Sequence, residues 1–125
     1  MGKKKSILIV DDEKNLVEML TVILEEEGFK VIPANNGDEC LKVLRKNKVD
    51  LILLDIMMPK SDGWMVHRKI KENASWKDIP IIILTAKTDD IDRNIGLEVA
   101  KVDDFITKPF VPEDLINRVK EIISR

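Results

Sequence analysis

The sequence holds a single cysteine, Cys40, so no internal disulfide can form, and with His67 as its sole histidine it has no Cys/His metal cluster. Positive charge is not in excess either. Lys+Arg number 21 against Asp+Glu 23, a formal net charge of −2 that gives no bulk attraction for nucleic acid, so no direct nucleic-acid contact is expected. No apolar run approaches the roughly 20 residues of a membrane span, and no signal-peptide pattern precedes the first apolar stretch. No membrane partner and a cytoplasmic location are therefore expected. The opening Met1-Gly2-Lys3-Lys4-Lys5-Ser6 fits a myristoylation pattern, but Ser6 runs straight into a strand, so a short solvated basic tail is the expectation. What is present, 44% hydrophobic and 35% charged residues over 125 positions, describes one globular domain, 1–125, with a sizeable core.

The stretch Val49-Asp50-Leu51-Ile52-Leu53-Leu54-Asp55-Ile56-Met57-Met58-Pro59 organises the rest. Its consecutive aliphatics, Leu51 to Leu54, predict a strand buried on both faces, as in a parallel sheet covered by helices. Pro59, with Lys60-Ser61-Asp62-Gly63, marks a loop, so Asp55 stands where a buried strand emerges. Ile7-Leu8-Ile9-Val10 is a second all-apolar strand ending in acid, Asp11-Asp12-Glu13. Leu16, Leu20, Ile23 and Leu24 then recur at helical spacing up to Gly28, with Asp12 and Glu13 expected in the first turn, where the helix dipole favours negative charge.

Lys30 to Ala34 predicts a weaker strand that Pro33 confines to an edge. A helix from about Asp38 follows, with Leu41 and Leu44 facing the core and Cys40 a small buried hydrophobe. Gly63 leads into a helix carrying Met65, Val66 and Ile70, with His67 on its solvent side. Ile79 to Leu84 predicts a strand ending in Thr85-Ala86, and a helix is expected near Asp89–Val99. Asp103 to Thr107 predicts a half-polar edge strand running into Lys108-Pro109-Phe110, and the last helix starts at about Pro112. Trp64 and Trp76 are expected as partly buried anchors or contacts for a partner protein, not as a stacking site for bases.

Five strands alternating with five helices predict an α/β fold: a doubly wound five-stranded parallel sheet, flavodoxin-like, in the order 2-1-3-4-5. Its switch point lies between the first and third strands, so Asp11, Asp12 and Asp55 line one crevice. Thr85 and Lys108 join them from the ends of the fourth and fifth strands. Clustered carboxylates are best relieved by a hard cation such as Mg²⁺, which keeps waters that phosphate oxygens can replace. A carboxylate can also attack a phosphoryl group, and that transfer depends on positioning and on neutralising the equatorial oxygens. Asp55 is the best-placed nucleophile, with Asp11 and Asp12 on the metal, the Lys108 ammonium on a second oxygen and the Thr85 hydroxyl on a third.

Val10-Asp11-Asp12-Glu13, Leu54-Asp55-Ile56-Met57-Met58-Pro59, Leu84-Thr85-Ala86 and Thr107-Lys108-Pro109-Phe110 together resemble the signatures of the response-regulator receiver domain of two-component signalling. The resemblance implies a signalling switch, not a conventional enzyme. A sensor histidine kinase or phosphotransfer protein would phosphorylate Asp55 with Mg²⁺, held by Asp11 or Asp12, Asp55 and the backbone carbonyl of Met57. It implies that Thr85 turns toward the phosphoryl group and Phe105 swings inward, changing the face of the fourth helix, fifth strand and fifth helix for an effector domain or downstream protein. It also implies a cis Lys108-Pro109 bond.

Departures from the pattern are Phe105 where Tyr is common and Lys101-Val102 where Gly-Ala is usual. Met57 and Lys87 fall at positions that influence phosphoryl lifetime in the family, and Met57 cannot orient an attacking water, so a comparatively long-lived phosphoryl group is expected. Asp103, Asp104, Asp114, Arg118 and Arg125 resemble the charged set through which receivers of winged-helix transcription factors dimerise on activation, with Asn94 where a lysine is usual.

Two rival classes fit less well. An aspartyl-nucleophile phosphatase would carry a second acid where Met57 stands. A nucleotide- or flavin-binding module would want a Gly- or Ser/Thr-rich loop where Asp11-Asp12-Glu13 stands.

Overall fold

The computed structural model describes residues 4–56, 63–85 and 103–125. Strands β1 (Ser6–Val10), β2 (Lys30–Ala34), β3 (Leu51–Asp55), β4 (Ile81–Thr85) and β5 (Asp104–Thr107) form one parallel sheet in the order β2-β1-β3-β4-β5. Helices among the described residues are α1 (Lys14–Glu26), α2 (Gly37–Lys46), α3 (Gly63–Glu72) and α4 (Pro112–Ile123). The sequence predicts five helices; the one expected near Asp89–Val99 lies outside the described residues, as do Met57, Lys87, Asn94 and Lys101-Val102.

Alternation along each strand divides the core into two layers. Leu8, Val10, Ile52, Leu54, Ile81, Ile83 and Phe105 face α2 and α3, where Cys40, Leu41, Leu44, Val66 and Ile70 cover them. Ile7, Ile9, Leu51, Leu53, Ile82, Leu84 and Ile106 face the opposite way, under Val17, Leu20 and Leu24 of α1 and Leu115, Val119 and Ile122 of α4. β1 and β3 are buried over their full length because helices cover both faces. Pro33 is tolerated because β2 is an edge, and α1 stops at Gly28, whose φ of 93° is a left-handed conformation that glycine adopts freely. None of the described helices is long and apolar enough to cross a membrane.

Three local expectations are corrected. β4 begins at Ile81 and not Ile79, since Pro80 has no N–H to give a central ladder, although its carbonyl accepts from the Ile52 amide at 3.0 Å. Asp12 and Glu13 precede α1, whose first residue is Lys14, because Asp11 Oδ1 takes the Glu13 amide at 2.9 Å and holds a turn there. His67 is buried at 3% exposure, whereas Met65 is 49% exposed, the reverse of the sequence expectation. Gly63, Val66, His67 and Ile70 share the inner face of α3, and Gly63 sets its rotation. A Cβ at Gly63 would collide with the Ile56 backbone and stand 3.0 Å from the Asp55 carbonyl oxygen. Only glycine lets α3 approach the end of β3 so closely.

Candidate functional site

Parallel pairing brings the carboxyl ends of β1, β3, β4 and β5 to one rim, where the chain's reversal at β1 and β3 leaves a crevice. Asp11 follows β1 and is fully buried; its amide donates to the Ala34 carbonyl at 3.1 Å, tying the loop to the edge strand. Asp55 ends β3 and is 4% exposed, while Asp12 is exposed. One carboxylate oxygen from each of Asp11, Asp12 and Asp55 lies within 4.8 Å of the others.

Lys108 reaches into this cluster from the end of β5. Its Nζ donates to Asp11 Oδ2 at 2.7 Å and to Asp55 Oδ2 at 3.2 Å, with Glu13 Oε1 at 4.0 Å. Burial pulls the ammonium pKa down, but the hydrogen bond and charge of Asp11, joined by those of Asp55, outweigh it, and the pKa is raised above its ordinary value. Lys108 is therefore a fixed positive charge at neutral pH. The Lys108-Pro109 bond is cis, as the resemblance implies.

The acids fit a divalent cation. One ammonium against three carboxylates leaves two negative charges uncompensated, and mutual repulsion at this spacing favours a hard ion. Two oxygens on opposite sides of Mg²⁺ are about 4.2 Å apart, so a cluster within 4.8 Å needs little adjustment to share one ion with waters completing its shell.

The structure thus unites Asp11, Asp12, Asp55 and Lys108. β4 carries the Thr85 backbone to the same rim, in register with Thr107, while the Thr85 side chain and all of Met57 lie outside the described residues. Phe105 is 4% exposed, on the α2/α3 side of the sheet. It meets Trp64, whose ring centroid is 6.2 Å away at an interplanar angle of 59°. Sequence reasoning missed this pairing, and the place of Gly63 against Asp55, because both depend on the rotation of α3. The Asp62-Gly63 pair at the start of α3 was the available signal for the glycine.

The charged residues expected in a dimer contact are paired within the chain. Arg118 Nη1 donates to both Asp104 carboxylate oxygens at 3.0 Å, its Nε lies 3.2 Å from Asp114, and Arg125 lies 3.8 Å from Asp103.

Known proteins are similar in sequence and fold. The family model of the response regulator receiver domain matches residues 7–120. The chain is 44% identical over 121 residues to the alkaline phosphatase synthesis transcriptional regulatory protein PhoP of Bacillus subtilis, covering 97% of this chain and 49% of that protein. It superposes on the non-phosphorylated HemR receiver domain from Leptospira biflexa with a TM-score of 0.89 at 32% identity, covering 98% of this chain and 96% of that one. Against the response regulator protein TrrA from Thermotoga maritima in complex with Mg²⁺ and beryllofluoride, the TM-score is 0.79 at 36% identity, covering 94% of this chain and 98% of that one. The chain spans about half the length of the curated relatives it matches. By its fold, its acidic crevice and these matches, the chain belongs to the response regulator receiver domain family of two-component signalling.

Proposed function

We propose that Asp55 is the phosphoacceptor of a signalling switch, charged by the phosphohistidine of a sensor kinase or phosphotransfer protein. One Asp55 carboxylate oxygen bonds to phosphorus as the P–N bond to the donor breaks, and the released imidazole takes up a proton. Lys108, 3.2 Å from Asp55, is held by Asp11 where it would meet an oxygen of the incoming group, and the Thr85 hydroxyl is assigned to another. Asp11, Asp12, Asp55 and the Met57 carbonyl would hold Mg²⁺, which when bound neutralises charge on the transferring oxygens. The domain catalyses only its own phosphorylation and dephosphorylation. The observation that carries this reading is the Lys108 bridge between two buried carboxylates beside a third acid.

Thr85 and Phe105 would relay the change to the face formed by β5, α4 and the segment between β4 and β5. We infer that this face engages an effector domain or downstream protein. A second copy of the domain can engage it on activation, by exchanging the Arg118–Asp104 and Arg125–Asp103 pairs between chains. Names such as "transcriptional regulatory protein" describe relatives about twice as long. With a net charge of −2, this domain is assigned no nucleic-acid contact of its own.

The test is intact mass after incubation with acetyl phosphate, with and without Mg²⁺, for wild type and Asp55→Ala. One added phosphoryl group that needs Mg²⁺ and vanishes in the variant is expected. No adduct on wild type, or an adduct that survives Asp55→Ala, overturns the assignment. Once charged, Asp55 should stay phosphorylated longer than in chemotaxis-type receivers, because Met57 cannot orient a water.

A further inference from the structure

The chain's only histidine sits in a run of rings that joins α3 to β5. Trp64 meets the His67 imidazole edge-on, with centroids 5.9 Å apart and planes at 77°, and lies against Phe105 at 6.2 Å. His67 is 3% exposed, and its Nε2 has no hydrogen-bond partner among the described residues. An unsatisfied ring nitrogen in an apolar seat is a liability that an aliphatic side chain would not carry, and the same helix face already uses Val66 and Ile70. Packing alone gives no reason for an imidazole here.

Charged groups around the ring set its proton affinity. Burial disfavours the imidazolium most, Lys71 one turn further along α3 repels it, and Asp103 at the foot of β5 attracts it, so its pKa is lowered to about 4. Asp103 stands two residues before Phe105 and is itself held by the Ile81 amide at 2.8 Å and by Arg125 at 3.8 Å.

We propose that His67 is a positioning residue of the switch: its neutral ring seats Trp64 against Phe105, and protonating that ring unseats Phe105 and opposes the phosphorylated state. An imidazolium cannot remain desolvated and unpaired, so it moves toward Asp103 and water. Trp64 then loses its edge contact and Phe105 loses its cover. The proposal rests on the assignment of Phe105 as relay from Asp55. Coupling of this kind is reciprocal, so phosphorylation that favours the inward Phe105 must weaken proton binding at His67.

The sole histidine can be titrated by NMR without interference. Wild type is expected to titrate near pH 4. The chain phosphorylated with acetyl phosphate and Mg²⁺, its adduct checked by intact mass before and after, should titrate lower by about half a unit, roughly threefold in proton affinity. Phe105→Leu should move the midpoint upward by a similar amount, because lost cover admits water to the ring. In a Trp76→Phe background, Trp64 fluorescence should follow the same midpoint, and His67→Leu should abolish that transition. A wild-type midpoint near 6.5, or an unchanged midpoint with the adduct intact, overturns the proposal. If no adduct forms, the Asp55 assignment fails, and an unmoved midpoint in Phe105→Leu overturns this one separately.

Discussion

On the α1/α4 side of the sheet the core is aliphatic apart from Phe29 and Phe110, whereas the α2/α3 side buries Cys40, His67 and Phe105 and packs Trp64 and Trp76 over them. Aliphatic side chains at helical spacing interlock in few arrangements and resist rearrangement. Rings meet through specific edge-on or offset contacts that can be made or lost as units, and a small thiol leaves little space when it is removed. One face therefore works as a frame that keeps Asp11, Asp55 and Lys108 in register. The other holds the groups assigned to the relay. The proposed switch draws on both: a rim held in register and a layer beneath it that carries the assigned relay.

The largest difference between the faces should appear in large-to-small changes. Leu20 and Cys40 are both fully buried on helices, one on each side. Leu20→Ala should cost about 3–4 kcal/mol, since the aliphatic layer cannot close the cavity. Cys40→Ala should cost about 1 kcal/mol, because one sulfur is lost from a layer that can adjust. Denaturant unfolding at pH 7 measures both, with unchanged m-values expected. Equal losses would remove the distinction. Cys40 itself is inert to mild oxidants on this account, its thiol being pushed up by burial to about 12.

The second test isolates His67, the buried imidazole of the adaptable face, which titrates in the acid range where Cys40 does not. His67 has a folded pKa of about 4 against an ordinary 6.5, so the unfolded chain binds the proton more tightly. The stability that its neutral form secures is complete above pH 6.5 and is lost as pH falls toward 4. The 2.5-unit difference amounts to about 3 kcal/mol at the lower limit. Carboxylates also weaken the fold in acid, so the quantity to measure is the difference between wild type and His67→Leu across that window. Parallel curves would show that His67 titrates normally.

Much of the frame is legible in the sequence because its signals are redundant. Ile7–Val10, Leu51–Leu54 and Ile81–Leu84 are apolar throughout, as only strands covered on both faces need to be. Asp11, Asp12 and Asp55 follow from the first two of those strands and Lys108 from the half-polar β5, since each stands at a carboxyl end and the topology does the rest. The adaptable face is less legible. A ten-residue helix such as α3 has fewer than three turns to report its rotation, and Met65 and His67 are both plausible on either side by spacing alone. What decides it is Gly63 against Ile56, a backbone approach that hydropathy does not encode. The same contact sets the Trp64–His67–Phe105 run, so that run was hidden with it.

Gly63 accordingly tests the seam between the faces. Gly63→Ala places a Cβ against the Ile56 backbone, which cannot swing aside as a side-chain end would, and should cost about 1–3 kcal/mol. Because the displaced backbone adjoins the Asp55 carbonyl, the variant should also take up phosphoryl from acetyl phosphate more slowly, at a temperature where it remains folded. A stable variant with unchanged uptake would mean that α3 can retreat without disturbing the rim.

The smallest effect is expected at the surface of β5. Arg118 donates to both Asp104 oxygens and to the Phe105 carbonyl at 3.0 Å, and Asp104 Oδ1 accepts from the Phe105 amide at 2.8 Å. Burial lowers the guanidinium pKa, but Asp104 and Asp114 outweigh it and raise it, so the charge is permanent at any pH that keeps the fold. With 38% of the Arg118 side chain exposed, water and salt screen these pairs, and Arg118→Ala should cost roughly 0–1 kcal/mol, less at high ionic strength. Its consequence should lie in assembly. If the arginine exchanges its partners between two chains on activation, Arg118→Ala should leave the phosphorylated protein monomeric by size-exclusion chromatography while wild type shifts to a dimer. A stability loss well above 1 kcal/mol with unchanged assembly would instead make Arg118 part of the frame that seats Phe105, and the boundary between fixed and adaptable regions would have to be moved outward to include it.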